Sequence, residues 1–234
     1  MRGKRREQRE QGAHRRLAPP RPAPAATPDP DTETSGDLDR LIPLSDGVFA
    51  FAMTLLVVDL TVPEIASGDV AAELPARLWA LWPKALTYVI SFLVAAIYWT
   101  NHRRMFRSIV RADGMLTSLN VLLLMLVAFQ PFPTAVLGAY GDQPVAVMLY
   151  AGTLALTGLT GLAIWLYASG RRRLLHPDAS ARLIRYQTWR AVGNPLVFLV
   201  SIGIATLSPL AAELSWLGVA VILVLSLPIF RDVV

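Results

Sequence analysis

Cysteine is absent from this 234-residue chain. That excludes disulfides, thiolate catalysis and cysteine-held zinc or iron–sulfur centres. Histidine is nearly as scarce: His14 is expected in a tail, His102 and His176 in loops. A histidine-based metal or acid–base centre within the apolar part of the chain is therefore not expected. There is no Walker loop, no His-Glu-x-x-His pair and no serine nucleophile motif, so nothing in the sequence points to an enzyme. Internal repeats and the paired broken helices of secondary transporters are also missing. Charged residues make up only 17% of the chain, too few to cover a soluble domain of this length.

What is abundant is apolar length. Hydrophobic residues reach 54%, with a mean hydropathy of +0.46. Apolar runs fall at about 44–62, 81–100, 115–138, 145–168, 191–208 and 212–230, each near the ~20 residues that cross a bilayer. The fifth carries Asn194-Pro195, which predicts a kink or a late start. Before them, MRGKRREQREQGAHRR is basic and LAPPRPAPAATPDPDTETSGD is rich in Pro, Ala, Thr and Asp, so residues 1–38 are expected to be a disordered cytoplasmic tail. No apolar core follows the basic start, and no signal peptide is expected.

The formal charge of +5 would suggest nucleic acid in a soluble protein, but its distribution points elsewhere. Nine Lys or Arg precede span one, four follow span two (Arg103, Arg104, Arg107, Arg111) and six follow span four (Arg171, Arg172, Arg173, Arg182, Arg185, Arg190). With Arg231, that leaves only Arg77 and Lys84 for the opposite side. The positive-inside rule then puts both termini of a multi-pass protein of the cell membrane in the cytoplasm. Anionic lipid is a candidate partner of the basic loops; nucleic acid is not. Between spans one and two, Leu74, Leu78 and Leu81 with Trp79 and Trp82 predict a short amphipathic helix at the outer interface.

Span one carries the most information. On a 3.6-residue helix Phe51, Thr54, Leu55, Val58 and Val62 share a stripe with Gly47 one turn below, while Val57 falls on the opposite, packing face. A stripe of large apolar groups with one hydroxyl suits either a narrow pore or a seam against a neighbouring helix. Ser45 and Asp46 open the span, as an N-cap and a favourable charge would. Trp99, Asn101 and His102 close span two on the same side, so polar groups of two consecutive helices reach similar depth. Pro131 and Pro133 predict a kink near the outer end of span three. The following Ala-Val-Leu-Gly-Ala-Tyr-Gly is not a carbonyl filter: Ala139 breaks the Gly-Tyr step and no re-entrant helix precedes it.

The run Ser45-Asp46-Gly47-Val48-Phe49-Ala50, with Arg40 ahead of it and Thr54-Leu55-Leu56-Val57 after, resembles the first-helix signature of the transmembrane protein 175 family. Tyr88, Ser91, Phe92, Trp99, His102 and Phe106 match that family's second helix, and Asn120, Phe129, Pro131, Phe132, Thr134 and Leu137 its third. The chain departs at Leu44, where the family has Phe, at Phe51 and Met53, where branched aliphatics are usual, and at Arg103, where the family has a second His. The resemblance is strong over residues 40–140 and weak beyond.

It implies an all-α membrane protein of six transmembrane helices per subunit, a homotetramer with helix one lining a central pore. It implies a potassium-permeable cation channel without a cofactor. Carried over by position, Phe51, Leu55 and Val58 would form the hydrophobic constriction and Thr54 the selectivity layer. Arg40, Ser45, Asp46, Trp99, Asn101 and His102 would form the supporting polar network. The competing readings are a proton-linked transporter or proton leak using Asp46 and His102, and a non-transporting membrane scaffold.

Overall fold

Apolar runs near twenty residues long must satisfy their own backbone groups in lipid, and a helix does so within one segment. The structure, a computed structural model, describes residues 30–65, 70–170 and 174–216. Helix α1 spans Pro30–Leu55 and passes into a 3₁₀ turn, Leu56–Asp59. Then come α2 (Val70–Ala80), α3 (Trp82–Arg107), α4 (Gly114–Phe129), α5 (Pro131–Tyr140), α6 (Pro144–Ser169), α7 (Ala181–Ala205) and α8 (Pro209–Ser215). Five segments are long and apolar enough to cross a membrane: Leu38–Asp59, Trp82–Arg107, Gly114–Tyr140, Pro144–Ser169 and Ala181–Ala205. They coincide with the first five expected spans. From residue 217 the sixth, 212–230, lies outside the described residues, as do residues 1–29 of the tail and Arg171–Arg173. Helix α1 starts at Pro30, ahead of the boundary drawn after residue 38.

Several expected loops are helix instead. Helix α3 continues through Arg107, so Asn101, Arg103 and Arg104 stand on it, and His102 is a buried helical residue rather than a loop residue. Helix α7 starts at Ala181, where Ser180 Oγ accepts from Leu183 N–H at 3.1 Å, so Arg182, Arg185 and Arg190 are helical too. Hydropathy places span ends where charge begins, but arginine is a good helix former and the helix runs on past the apolar stretch. Where a kink is expected in span three the helix breaks: α4 stops at Phe129 and α5 restarts at Pro131. The short helix expected between spans one and two is α2; it has no buried residue, and Trp79 stacks on Trp82 with ring centroids 6.2 Å apart.

Helix α6 is the centre of the bundle, with buried residues over more than half of its circumference from Ala146 to Ala168 and Leu156, Leu159 and Leu166 exposed on the remaining side. Its most extensive contact is with α7. Pro195 does not interrupt α7; its ring is accommodated against Gly158 of α6. A Cβ at Gly158 would come 3.0 Å from Pro195 Cδ and 3.2 Å from its backbone nitrogen. Backbone cannot swing aside as a side-chain tip can, so Gly158→Ala should force the two helices apart. Overpacking of this kind costs about 1–3 kcal/mol. The expected result is a lowered unfolding temperature in detergent; an unchanged melt would show that the contact yields freely.

Beyond the C-terminal ends of α3 and α6, backbone bonds tie two loops together. Val110 N–H donates to Leu174 O at 2.9 Å and His176 N–H to Ser108 O at 3.1 Å, around an isolated bridge between Ile109 and Leu175. Beside them Asp113 caps α4 through Leu116 N–H and accepts from the Tyr167 hydroxyl at 2.6 Å. At the break between α4 and α5, Gln130 is buried and its carboxamide has no hydrogen-bond partner among the described residues. Burying an unpaired amide costs about 1–3 kcal/mol. Gln130→Met, similar in shape and apolar, should therefore raise the unfolding temperature, and a lowered one would mean that the amide is satisfied.

Candidate functional site

The first helix has two faces with different partners. Leu38, Leu41, Ser45, Phe49, Ala52 and Leu56 recur at three- and four-residue spacing and are all buried. They face α3 and α4. Leu44, Gly47, Phe51, Thr54 and Val58 take the opposite face, with Phe51 63% and Val58 67% exposed. Leu55 lies at the shoulder, half-buried. The stripe read from the sequence is thus turned away from the rest of its own subunit.

The end of the span departs from expectation. It was read as α-helix to residue 62, whereas α-geometry stops at Leu55 and a 3₁₀ turn covers Leu56–Asp59. Residues three apart eclipse in a 3₁₀ turn. Val58 therefore sits over Leu55 and Asp59 over Leu56, which brings Asp59 Oδ2 against Gly138 of α5. Val57, expected to pack, is 47% exposed, and Leu56 takes the buried place. Val62 lies beyond the helix and is exposed. The Thr54 hydroxyl donates to Phe51 O at 2.7 Å, which leaves its oxygen lone pairs as acceptors on the exposed face.

Behind this face runs a directed hydrogen-bond chain. The Ser45 hydroxyl donates to Leu41 O at 2.7 Å and accepts from Asn120 Nδ2 at 3.0 Å. The amide oxygen of Asn120 then faces His102 Nε2 at 2.9 Å. Since that oxygen can only accept, His102 carries its proton on Nε2. The imidazole is packed between Phe106, stacked at 4.3 Å, and Phe49, tilted at 5.7 Å. Ser45 and Asn120 are fully buried, so three spans are joined through polar groups shielded from lipid and water alike.

The expected six-residue network is in fact divided. Asp46 is bound by Trp99, whose indole N–H donates to Oδ1 at 2.7 Å, and Arg103 lies over that indole with its guanidinium 5.1 Å from the ring centroid. Asn101 points elsewhere and accepts from Arg190 of α7 at 2.7 Å. Arg40 is exposed and makes no hydrogen bond or ion pair among the described residues, so it does not join Asp46 within the subunit. Two members were missed. Asn120 was recognised in the third-helix pattern but not placed in the network; a lone amide inside an apolar run was the available signal. Arg190 was counted only as a topology determinant.

Five apolar spanning helices, a buried polar chain fixing the first, and an apolar–hydroxyl face left outward define a multi-pass helical membrane protein whose first helix is positioned for something beyond its own subunit. The family described as "Endosomal/lysosomal potassium channel TMEM175" matches residues 40–131. A potassium channel of Chamaesiphon minutus is 35% identical over 191 residues, 80% of this chain and 91% of that protein. One of Streptomyces collinus is 36% identical over 177 residues, 72% of this chain and 82% of that protein. The human endosomal/lysosomal proton channel TMEM175 is 25% identical over 139 residues, 59% of this chain but 27% of that longer protein. The crystal structure of a lysosomal potassium-selective channel TMEM175 homologue from Chamaesiphon minutus superposes with a TM-score of 0.71 at 30% identity, over 82% of this chain and 98% of that one. The chain belongs to the TMEM175 family of ion channels, and is not an enzyme.

Proposed function

We propose that the chain is one subunit of a potassium-permeable channel, a homotetramer in the cell membrane with its termini in the cytoplasm. The outward face of α1 lines the central pore. The observation that carries this is the division of α1 into a buried face and an exposed apolar–hydroxyl face. A wide pore has no place inside one such bundle, whereas rotational symmetry makes one from four copies of a single face. Phe51, Leu55 and Val58 form the constriction and the Thr54 oxygens a layer of acceptors beside it. The chain Ser45–Asn120–His102 and the pair Asp46–Trp99 hold α1 in register, and Arg40, exposed on its own subunit, meets a neighbour. The names carried by the bacterial relatives favour potassium as the permeant ion.

The test is ion flux from liposomes loaded with potassium or with sodium, using purified full-length protein whose subunit count is fixed by crosslinking. Potassium efflux at channel rates, independent of a proton gradient, from a four-subunit assembly is the expected result. Flux strictly coupled to protons would favour the transporter reading. A monomer or dimer in both mild detergent and native membranes would remove the symmetric pore.

A further inference from the structure

At the arginine-rich end of the bundle, two guanidinium groups are brought together with no acid paired to either among the described residues. Arg190 of α7 is half-buried, and its Nη2 donates to Asn101 Oδ1 at 2.7 Å, its Nη1 to the Tyr186 hydroxyl at 3.1 Å. Both acceptors are neutral. Arg104 of α3, also half-buried, stands three residues after Asn101 and so one turn along the helix face that Asn101 turns to Arg190, close enough for the two charges to repel. Neither arginine takes part in the ion pairs Arg77–Glu73 and His176–Asp178. Holding like charges together and partly out of water is costly unless an anion neutralises them. Beside Arg190 lies a mostly apolar cavity of about 60 Å³, whose polar lining includes Asn101, Gln187 and Arg190. The adjacent Trp189 is 73% exposed, as an aromatic at headgroup depth would be.

We infer that Arg104 and Arg190 form a phosphate-binding site between α3 and α7, suited to the phosphate of an anionic lipid or to free phosphate. Guanidinium forks match phosphate oxygens in geometry as well as charge. Arg190 already has two donors committed and a fork of five, so it can receive a phosphate without surrendering Asn101. The site has a route to α1: Asn101 is chain neighbour to His102, the first member of the polar chain ending on Ser45. That consequence for conduction rests on the pore reading above; the binding itself does not.

The experiment measures retention of phosphatidylglycerol by the purified full chain in native mass spectrometry, with phosphatidylcholine as the uncharged comparison. Competition by inorganic phosphate separates the two sources: displacement at millimolar concentration assigns the site to phosphate as such, and no displacement assigns it to the lipid. Losing one charge-assisted contact should weaken binding about tenfold in Arg104→Gln and in Arg190→Gln. Arg185→Gln, an exposed arginine of α7, should leave it unchanged. Arg104 makes no hydrogen bond among the described residues, so its variant keeps the test valid should Arg190→Gln fold poorly. Unchanged affinity in a folded Arg104→Gln protein, or equal loss in Arg185→Gln, overturns the site. Binding retained by a protein that passes no ions keeps the site and rejects the channel reading instead.

Discussion

Leu55→Ala is expected to raise resting potassium efflux about tenfold, the change produced by lowering a barrier by about 1.4 kcal/mol. An apolar ring resists ions because the ion must shed water there and the ring itself tends to dewet. The 3₁₀ turn places Val58 directly over Leu55, so in a pore lined by α1 the two would form successive apolar layers. Truncating Leu55 opens the lower layer and hydrates the gap. Thr54→Ala acts differently. It removes the oxygen whose proton is already committed to Phe51 O and whose lone pairs face outward, so preference for potassium over sodium should fall while total current changes less. Leu56→Ala is the comparison, since Leu56 is 2% exposed on the buried face and its loss should reduce stability rather than selectivity. Val57 would be a poor choice for that role because it too is exposed. Channels carrying Leu55→Ala and Thr54→Ala that assemble normally and conduct as before would show that α1 does not line the pore.

Asn120→Leu should be among the most disruptive single changes in the bundle. Asn120 is fully buried and serves as donor to Ser45 and acceptor for His102 at once. Leucine is close in size, so no large cavity forms; the loss comes from leaving the His102 N–H without a partner and the Ser45 oxygen, which still donates to Leu41 O, without a donor. Each unpaired buried group costs about 1–3 kcal/mol. The unfolding temperature and the yield of assembled channel should both drop. Combining Asn120→Leu with Ser45→Ala should recover part of the loss, because the second change removes one of the two orphaned groups. A melt within error of the unmodified protein, or strict additivity of the two changes, would reduce the polar chain to incidental contacts.

How far the sequence could be read depended on the range of the interaction. Apolar runs of bilayer length gave five spans that the structure reproduces, because in lipid the backbone's own bonds decide the element and neighbours add little. The helix break at Gln130–Pro131 and the short helix α2 were legible for the same local reason. Span ends were not: the arginines of α3 and α7 look like loop by charge, yet arginine is a good helix former and both helices extend past the apolar stretch. The stripe on α1 was visible from 3.6-residue spacing, but the same spacing permitted a packed seam or a pore lining. Only the placement of α3 and α4 against Ser45, Phe49 and Ala52 showed which face is occupied by the subunit itself.

The polar residues divide along the same line. The sequence by itself determined which chemistry is available: no thiol, no clustered histidines, and a few amides, hydroxyls and indoles set into apolar runs. It also brought Asp46 and Trp99 to one depth, since consecutive antiparallel spans must start and end together. It could not join Ser45 to Asn120, 75 residues away, or Asn101 to Arg190, 89 residues away. Those partners are set by the azimuth at which helices distant in the chain meet, and periodicity within one helix carries no information about the rotation of another. Tertiary packing alone therefore decided that His102 leads to Ser45, that Asn101 belongs to Arg190, and that Gly158 must stay small to let Pro195 pass.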